Sequence, residues 1–441
     1  MKVDKLFEAT YSLIIGIGLT ILSLILIIGK KWLYINVVNV FLIALIFLSI
    51  KDIISFFRNN KNKKNINFIR SIVNLLLCLI FSIFKNIPLS ILPIIFGIYL
   101  LLNTGVKIIN LAILIENKSP GKLSETLLII LYLVVGILCI IAPLKYLEGI
   151  LIIIGSYLLL LGLTFIYDFI SELIPFKVKN KIKRRTRISL PVLVEAIIPY
   201  VVLNEINYLI DKDNMDSEFI YEEKKEDIEP DIEVLVHISN RGYNRLGHCD
   251  IVYNNKVISY GSYDRKTLRH HDLIADGVVF VADRDKYIPF CIKNSKKTLF
   301  AFGLKLSDKQ KANVEKEIDL LFKDLVKWES PYQEALDESK RVKKKDYDDY
   351  ASCLYMATQA DMYKFTKGKY KKYFVAGNNC VKLADEIIGK SGIDALKMYG
   401  IITPGAYYEY LNREFRKKNS MVISRKIYNS ESIKKRKNRT K

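Results

Sequence analysis

The sequence predicts a multi-domain chain: an all-α bundle of six transmembrane helices, followed by a water-soluble α+β domain with a small antiparallel sheet. Three observations predict it. Residues 1–188 hold 22 Lys/Arg and 8 Asp/Glu between long runs of Leu, Ile, Val and Phe, the composition of bilayer-spanning segments. From 189 to 412 the 33 Lys/Arg and 36 Asp/Glu nearly balance, in stretches of mixed polarity typical of a globular domain. The C-terminal segment from Arg413 to Lys441 carries 12 Lys/Arg, with Glu414 and Glu431 as its acids. The formal net charge of +21 therefore resides in the membrane half and the tail.

The membrane domain takes residues 1–187, with spans near 10–29, 33–50, 71–87, 89–115, 126–144 and 149–174. Each is long enough to cross the hydrocarbon core, or nearly so with neighbours to help. No signal-peptide pattern precedes the first run, which reads as a span. A repeat organises them: Gly97-Ile-Tyr99-Leu-Leu-Leu recurs as Gly155-Ser-Tyr157-Leu-Leu-Leu, and at the same offset toward the N-terminus stands the weaker Asn39-Val-Phe41-Leu-Ile-Ala. Three helical hairpins of one period follow, with the repeated Gly letting helices approach closely. Segments on the N-terminal side of the bilayer hold 17 basic residues against 4 in the opposite turns. The positive-inside bias then puts both ends of the bundle in the cytoplasm. Lys107, Asp168 and Glu172 stand toward helix ends as snorkelling side chains, and no ion path is apparent in the sequence. Three hairpins with this Gly and Tyr spacing resemble the HdeD-type membrane domain over residues 10–174, a resemblance that implies a fold more than an activity.

Residues 188–231 are expected to form an interfacial helix and an acidic linker. The stretch 188–210 is apolar, but Pro191, Glu195, Pro199, Asn204 and Glu205 are costly at a bilayer centre, so it reads as lying on the surface. The basic tail, 413–441, is expected to rest against anionic lipid and not to be needed by the folded domain. Nucleic acid is not an expected partner, since the soluble core is near neutral.

The soluble domain is expected over 232–412. Ile232-Glu-Val234-Leu-Val236-His-Ile238 alternates as a strand. Gly247-His248-Cys-Asp250-Ile-Val-Tyr253, then Asn254-Asn255, then Lys256-Val-Ile-Ser259-Tyr260-Gly261 read as a two-residue hairpin. With Tyr253 opposite Lys256, the residues His248, Asp250 and Ser259 share one face of the ribbon. Strands are expected at 277–282 and 298–304. Ser307-Asp-Lys-Gln310 is a capping box for a helix to about Trp328, and 330–350 reads as a surface insertion.

Gly377-Asn378-Asn379-Cys380 leads into a helix whose apolar positions are Val381, Ala384, Ile387 and Ile388. Asn378 or Asn379 is the expected N-cap and Gly392 a plausible stop. Cys380 then stands in the first turn, where unsatisfied N–H groups and the helix dipole favour a thiolate. A cysteine at a helix start and a histidine on a strand also occur as ordinary buried groups, so both readings of Cys380 and His248 stand. His237 reads as structural or exposed. The six cysteines form no CxxC, and His270-His271 has no further ligands nearby, so no metal, disulfide framework or cofactor is expected.

A Gly-His-x-Asp-Ile-x-Tyr strand, a hairpin ending in Ser-Tyr-Gly and, much later, an Asn-Cys at the head of an apolar helix resemble the circularly permuted papain-like fold. That superfamily includes permuted NlpC-type and PPPDE-type peptidases and the lecithin:retinol acyltransferase-like enzymes. The resemblance implies Cys380 as nucleophile and His248 as general base, with Ser259, or Tyr260 on the other face, as the orienting third group. It implies an oxyanion hole at the N–H of Cys380 and around Asn379; the segment 403–408 begins a last helix and reads either as lining a substrate cleft or as a plain helix start. The expected function is a membrane-anchored thiol hydrolase, peptidase or acyltransferase that acts on an amide, ester or thioester at the inner membrane surface. Its substrate would be a peptide or an acyl compound. The alternative is a non-enzymatic membrane protein that uses this fold as a binding or scaffold module.

Overall fold

The computed structural model describes residues 2–58, 64–173, 219–238, 247–270, 273–293, 298–337, 343–390, 404–416 and 420–428. The chain divides into a helical unit, Phe7–Leu111 with Gly121–Asp168, and a second unit that contains the α+β domain. The interfacial helix expected at 188–210 and the stop at Gly392 lie outside the described residues.

The helical unit consists of α1 (Lys2–Arg58), α2 (Lys64–Ile83), α3 (Asn86–Glu116), α4 (Lys122–Ile141) and α5 (Leu147–Leu173). Among the described residues four stretches are long and apolar enough to cross a membrane: Tyr34–Phe57, Asn86–Glu116, Lys122–Ile141 and Leu147–Tyr167. Leu13–Gly29 and Asn67–Ile83 are shorter apolar helices. Bare Phe47, Phe57, Leu79, Leu102 and Ile141 mark outward faces of the kind that lipid covers.

One expectation is corrected: the spans at 10–29 and 33–50 do not form a hairpin, because α1 runs unbroken for 57 residues. Three of the other turns have breakers nearby, Pro88, Pro120-Gly121 and Pro143, whereas the stretch between α1 and α2 has neither Pro nor Gly. The segment Gly29-Lys30-Lys31 has one Gly and two good helix formers, too little to stop a helix. At 1.5 Å per residue α1 is roughly 85 Å long, well beyond a hydrocarbon core of about 30 Å.

The repeated glycines do sit at close helix contacts. A Cβ on Gly97 would lie 2.8 Å from the Gly136 carbonyl oxygen on α4, and one on Gly155 would lie 2.6 Å from Ile27 Cγ1 on α1. Gly105 faces open space, with nothing within 4 Å. Gly97→Val should therefore force α3 from α4 and cost about 1–3 kcal/mol. Gly105→Ala should be neutral or stabilising by up to about 1 kcal/mol. Thermal unfolding in detergent checks both, and equal loss at the two sites would contradict the packing.

Lys107 is more than a snorkelling side chain. Its Nζ lies 3.3 Å from both carboxylate oxygens of Glu125, which also accepts from Asn110 Nδ2 at 2.9 Å. The side chains of Asp168 and Glu172 lie outside what is described.

Among the described residues the α+β domain is built on nine antiparallel strands, a larger sheet than the sequence led us to expect. In chain order these are β1 (Phe219–Lys224), β2 (Ile232–Ile238), β3 (His248–Tyr253), β4 (Lys256–Gly261), β6 (Val278–Asp283), β7 (Thr298–Leu304), β8 (Leu325–Lys327), β9 (Asp361–Phe365) and β11 (Val422–Tyr428). Their spatial order is β1-β11-β7-β2-β3-β4-β6-β9-β8, and β5 (Ile274–Asp276) pairs separately with β10 (Lys372–Phe374). Helices α6 (Arg284–Lys293) and α9 (Tyr350–Thr358) cover one face around Leu235, Val252, Val257 and Phe280. The helices α7 (Asp308–Phe322), α10 (Cys380–Lys390) and α11 (Pro404–Arg416) cover the other, around Val234, Val236, Ile251 and Phe300. The Ser307–Gln310 capping box is present, but α7 ends at Phe322 and gives way to β8.

Three boundaries are corrected. The expected acidic linker contains β1, and the expected basic tail contains β11, which lies inside the sheet between β1 and β7. The two segments are complementary: Glu222 pairs in register with Lys426 and Glu223 with Arg425, with ion pairs of 3.2 and 2.9 Å. Charge that looked like an unstructured acid run and a lipid-binding base run is one cross-strand ladder. The expected insertion at 330–350 contains α8 (Pro331–Asp337), whose Tyr332 and Ala335 are buried.

Candidate active site

The β3–β4 hairpin turns through Asn254 and Asn255, both at positive φ (49° and 56°), as a two-residue type I′ turn requires. Tyr253 pairs with Lys256, as the alternation predicts. At the other end of β3, Gly247 has φ +81°, and a Cβ there would lie 2.8 Å from the His237 carbonyl oxygen and 2.9 Å from Pro404 Cβ. Only glycine fits that junction, which delivers His248 to the start of the strand. Pairing of β2 with β3 sets His237 opposite His248 and Leu235 opposite Asp250. By alternation His237, His248, Asp250 and Ser259 point to the α6/α9 face, whereas Cys249, Ile251 and Tyr260 point to the α10 face.

Around His248 the polar atoms converge. Its Nε2 lies 2.8 Å from Asp250 Oδ1, 2.9 Å from Ser259 Oγ and 3.0 Å from the Tyr263 hydroxyl, and the two hydroxyls are 2.8 Å apart. The second carboxylate oxygen of Asp250 lies 2.6 Å from His237 Nε2 and accepts from the Tyr287 hydroxyl at 2.8 Å. The Asp250 side chain is 0% exposed. Burial opposes its charge, but the neighbouring His248 and His237 outweigh burial and hold the carboxyl well below the usual range. An ionised carboxylate has no proton to give. His248 Nε2 therefore carries the hydrogen, and Nδ1 is left for the thiol.

The turn before α10 fixes Cys380. Asn379 caps the helix, its Oδ1 accepting from Lys382 N at 3.0 Å, and its Nδ2 donates to the Val375 carbonyl at 2.8 Å. Asn378 Nδ2 donates to the Lys369 carbonyl at 2.7 Å. Helix α10 packs over β3 and β4 through Val381, Ala384, Ile387 and Ile388. The β3–β4 ladder covers Ile251, Val252 and Tyr253 and does not continue to Cys249. Cys380, packed on the α10 side of the sheet, lies beside the imidazole of His248. Cys380 Sγ lies close enough to the His248 imidazole, the Cys249 N–H and the Tyr373 hydroxyl for each to act on the thiol.

The charges follow from this packing. Burial pushes the Cys380 thiol up, but the adjacent His248 outweighs it and the net shift is downward. Burial pushes His248 down, but Cys380 and Asp250 outweigh it and raise the imidazole. Each change favours the thiolate–imidazolium pair.

No family model, curated protein or solved structure matches the chain.

Of the sequence-predicted residues, the structure brings Cys380, His248 and Ser259 together. Tyr260 lies on the other face and donates to the Tyr370 carbonyl at 2.8 Å. Of the two readings of His237, structural or exposed, the structure shows a buried side chain against Asp250. Asp250, two residues after His248 on one strand, carried the signal that assigns it, since i and i+2 share a face. Tyr263, Tyr287 and Tyr373 carried none, because a loop, a helix and a short strand outside the main sheet deliver them. Among the described residues no group of three or more His, Cys, Asp or Glu is placed to hold a metal ion.

Proposed function

We propose that this is a membrane-anchored thiol hydrolase or acyltransferase of the permuted papain-like type, forming an acyl-cysteine intermediate at the inner membrane surface. The observation that carries it is His248 held between Cys380 and the buried Asp250. In this reading Cys380 Sγ, as thiolate, attacks the carbonyl carbon of an amide, ester or thioester. The His248 imidazolium then gives its Nδ1 proton to the leaving amine, alcohol or thiol. Water or an acceptor next loses a proton to Nδ1 and attacks the acyl carbon, releasing the thiolate. The amides of Cys380 and Val381 belong to the first turn of α10, where no intrahelical acceptor exists, which suits a developing oxyanion. Ser259 and Asp250 orient the imidazole.

The membrane part of the proposal is an HdeD-like bundle of transmembrane helices with the soluble domain in the cytoplasm. The basic clusters at 51–70 and 177–187 flank α2 and α5. In this reading the shorter apolar helix α2 crosses together with α3, α4 and α5, which returns the chain to the side it left, and the bias makes that side cytoplasmic.

A binding module without chemistry has one observation in its favour, the 2% exposure of Cys380. Incubation of the full-length protein with a p-nitrophenyl acyl ester separates the two. Mass spectrometry should find one acyl group on Cys380, absent from Cys380→Ala and strongly reduced in His248→Ala. Acylation spread over surface lysines alone would favour the module.

A further inference from the structure

We propose that His237 is a positioning residue for the Cys380–His248 pair, acting through Asp250, with Tyr287 as its partner in that role. This rests on the reading of Cys380 as nucleophile and His248 as base. The geometry is a buried chain of three side chains, His237 Nε2 to Asp250 Oδ2 at 2.6 Å and Asp250 Oδ1 to His248 Nε2 at 2.8 Å. Tyr287 meets the same Oδ2 at 2.8 Å. The imidazole rings are 5.5 Å apart, and His237 is 5.9 Å from the Tyr287 ring. Asp250 and His248 from β3 and Tyr287 from α6 are titratable groups that face His237.

The carboxylate has two tasks that one hydrogen bond cannot secure. It must stay ionised without water, and its plane must present Oδ1 to His248. An undersatisfied buried carboxylate takes up a proton. As an acid it would donate to His248 Nε2, move the imidazole hydrogen to Nδ1 and remove the base that faces Cys380. The Tyr287 hydroxyl, which donates to Oδ2, and the close His237 Nε2 beside it oppose both the protonation and rotation about χ2. Cross-strand pairing of His237 with His248 places the second donor at the same level of the sheet as the base it serves.

The test uses the full-length protein in detergent and the iodoacetamide rate at Cys380 between about pH 5 and 9, read by mass spectrometry. His237→Phe should slow the reaction near neutral pH roughly tenfold and move its acid limb up by about one unit, the worth of one charged hydrogen bond. His237→Gln keeps an N–H near the Nε2 position and should remain within about threefold of wild type, since the donor survives. Tyr287→Phe should act in the same direction as His237→Phe. On a His248→Ala background all three should change nothing, as coupled residues require. A folded His237→Phe that reacts at the wild-type rate would overturn the proposal, as would Gln as damaging as Phe, or an effect that persists without His248. If His237→Phe fails to fold, Tyr287→Phe with and without His248 decides by the same criteria. Failure of the underlying reading looks different: His248→Ala itself would then leave the Cys380 rate unaltered.

Discussion

Cutting the chain after residue 416 should unfold the α+β domain, whereas cutting it after 428 should leave it folded. The difference between the two is β11, which pairs with β1 on one side and β7 on the other. Val422, Ile423, Ile427 and Tyr428 are all buried. At roughly 1.5–3 kcal/mol for each large buried side chain, their loss approaches the roughly 5–15 kcal/mol that a domain has in total. The cut would also leave β1 with no strand to pair with and expose the edge of β7, an invitation to aggregate. Limited proteolysis of the full-length and truncated proteins in detergent measures this through the persistence of the 232–390 fragment. Protection that survives the cut after 416 would show that β11 is dispensable and that the basic segment is a tail after all.

Why that strand was illegible in the sequence is instructive. Its alternation is interrupted by Arg425-Lys426 and its flanks are dense in lysine, so composition pointed to a solvated tail. The partner that neutralises those charges, Glu222-Glu223, lies at the opposite end of the domain, in a stretch whose own acids read as a linker. Local pattern sees each half and not the pair. The α1 hairpin failed for a related reason: hydropathy gave two runs, but Gly29-Lys30-Lys31 between them is too weak a breaker to end the helix. Where the governing interaction is local, the reading held. The Asn254-Asn255 turn, the Ser307–Gln310 capping box and the Asn379 cap each need only a few neighbouring residues, and the hairpin carried His248 and Ser259 to one face. The Cys380–His248 approach is non-local, and its order along the chain suggested it only through resemblance.

Asp250→Asn should damage the site nearly as severely as losing the base. An Asn amide can turn its NH2 toward His248 Nε2, which fixes the wrong tautomer and leaves Nδ1–H facing Cys380. Loss of the orienting carboxylate should lower any acyl-transfer rate on the order of 10²–10⁴-fold, by analogy with carboxylate-oriented histidines in other nucleophilic enzymes. The sign with pH follows from the shifts. With the thiol lowered and the imidazole raised, the reactive ion pair exists between the two. Activity should fall below the lowered thiol pKa, as Cys380 protonates, and again above the raised imidazole pKa, as His248 loses its proton. Asp250→Asn should narrow that window from both sides.

The most direct measurement is the rate of iodoacetamide alkylation at Cys380 against pH, in the wild type, in His248→Ala and in Asp250→Asn. The wild-type thiol should react at pH 7 faster than Cys353, with a midpoint below the ordinary value of about 8.5. His248→Ala leaves burial as the main influence on the thiol, so its midpoint should rise above that value and its pH 7 rate should fall on the order of 30-fold or more. Asp250→Asn should lie between the two. A Cys380 that reacts no faster than Cys353, with a midpoint that neither substitution moves, would contradict the nucleophile–base pair and leave Cys380 as a small buried residue at a helix start.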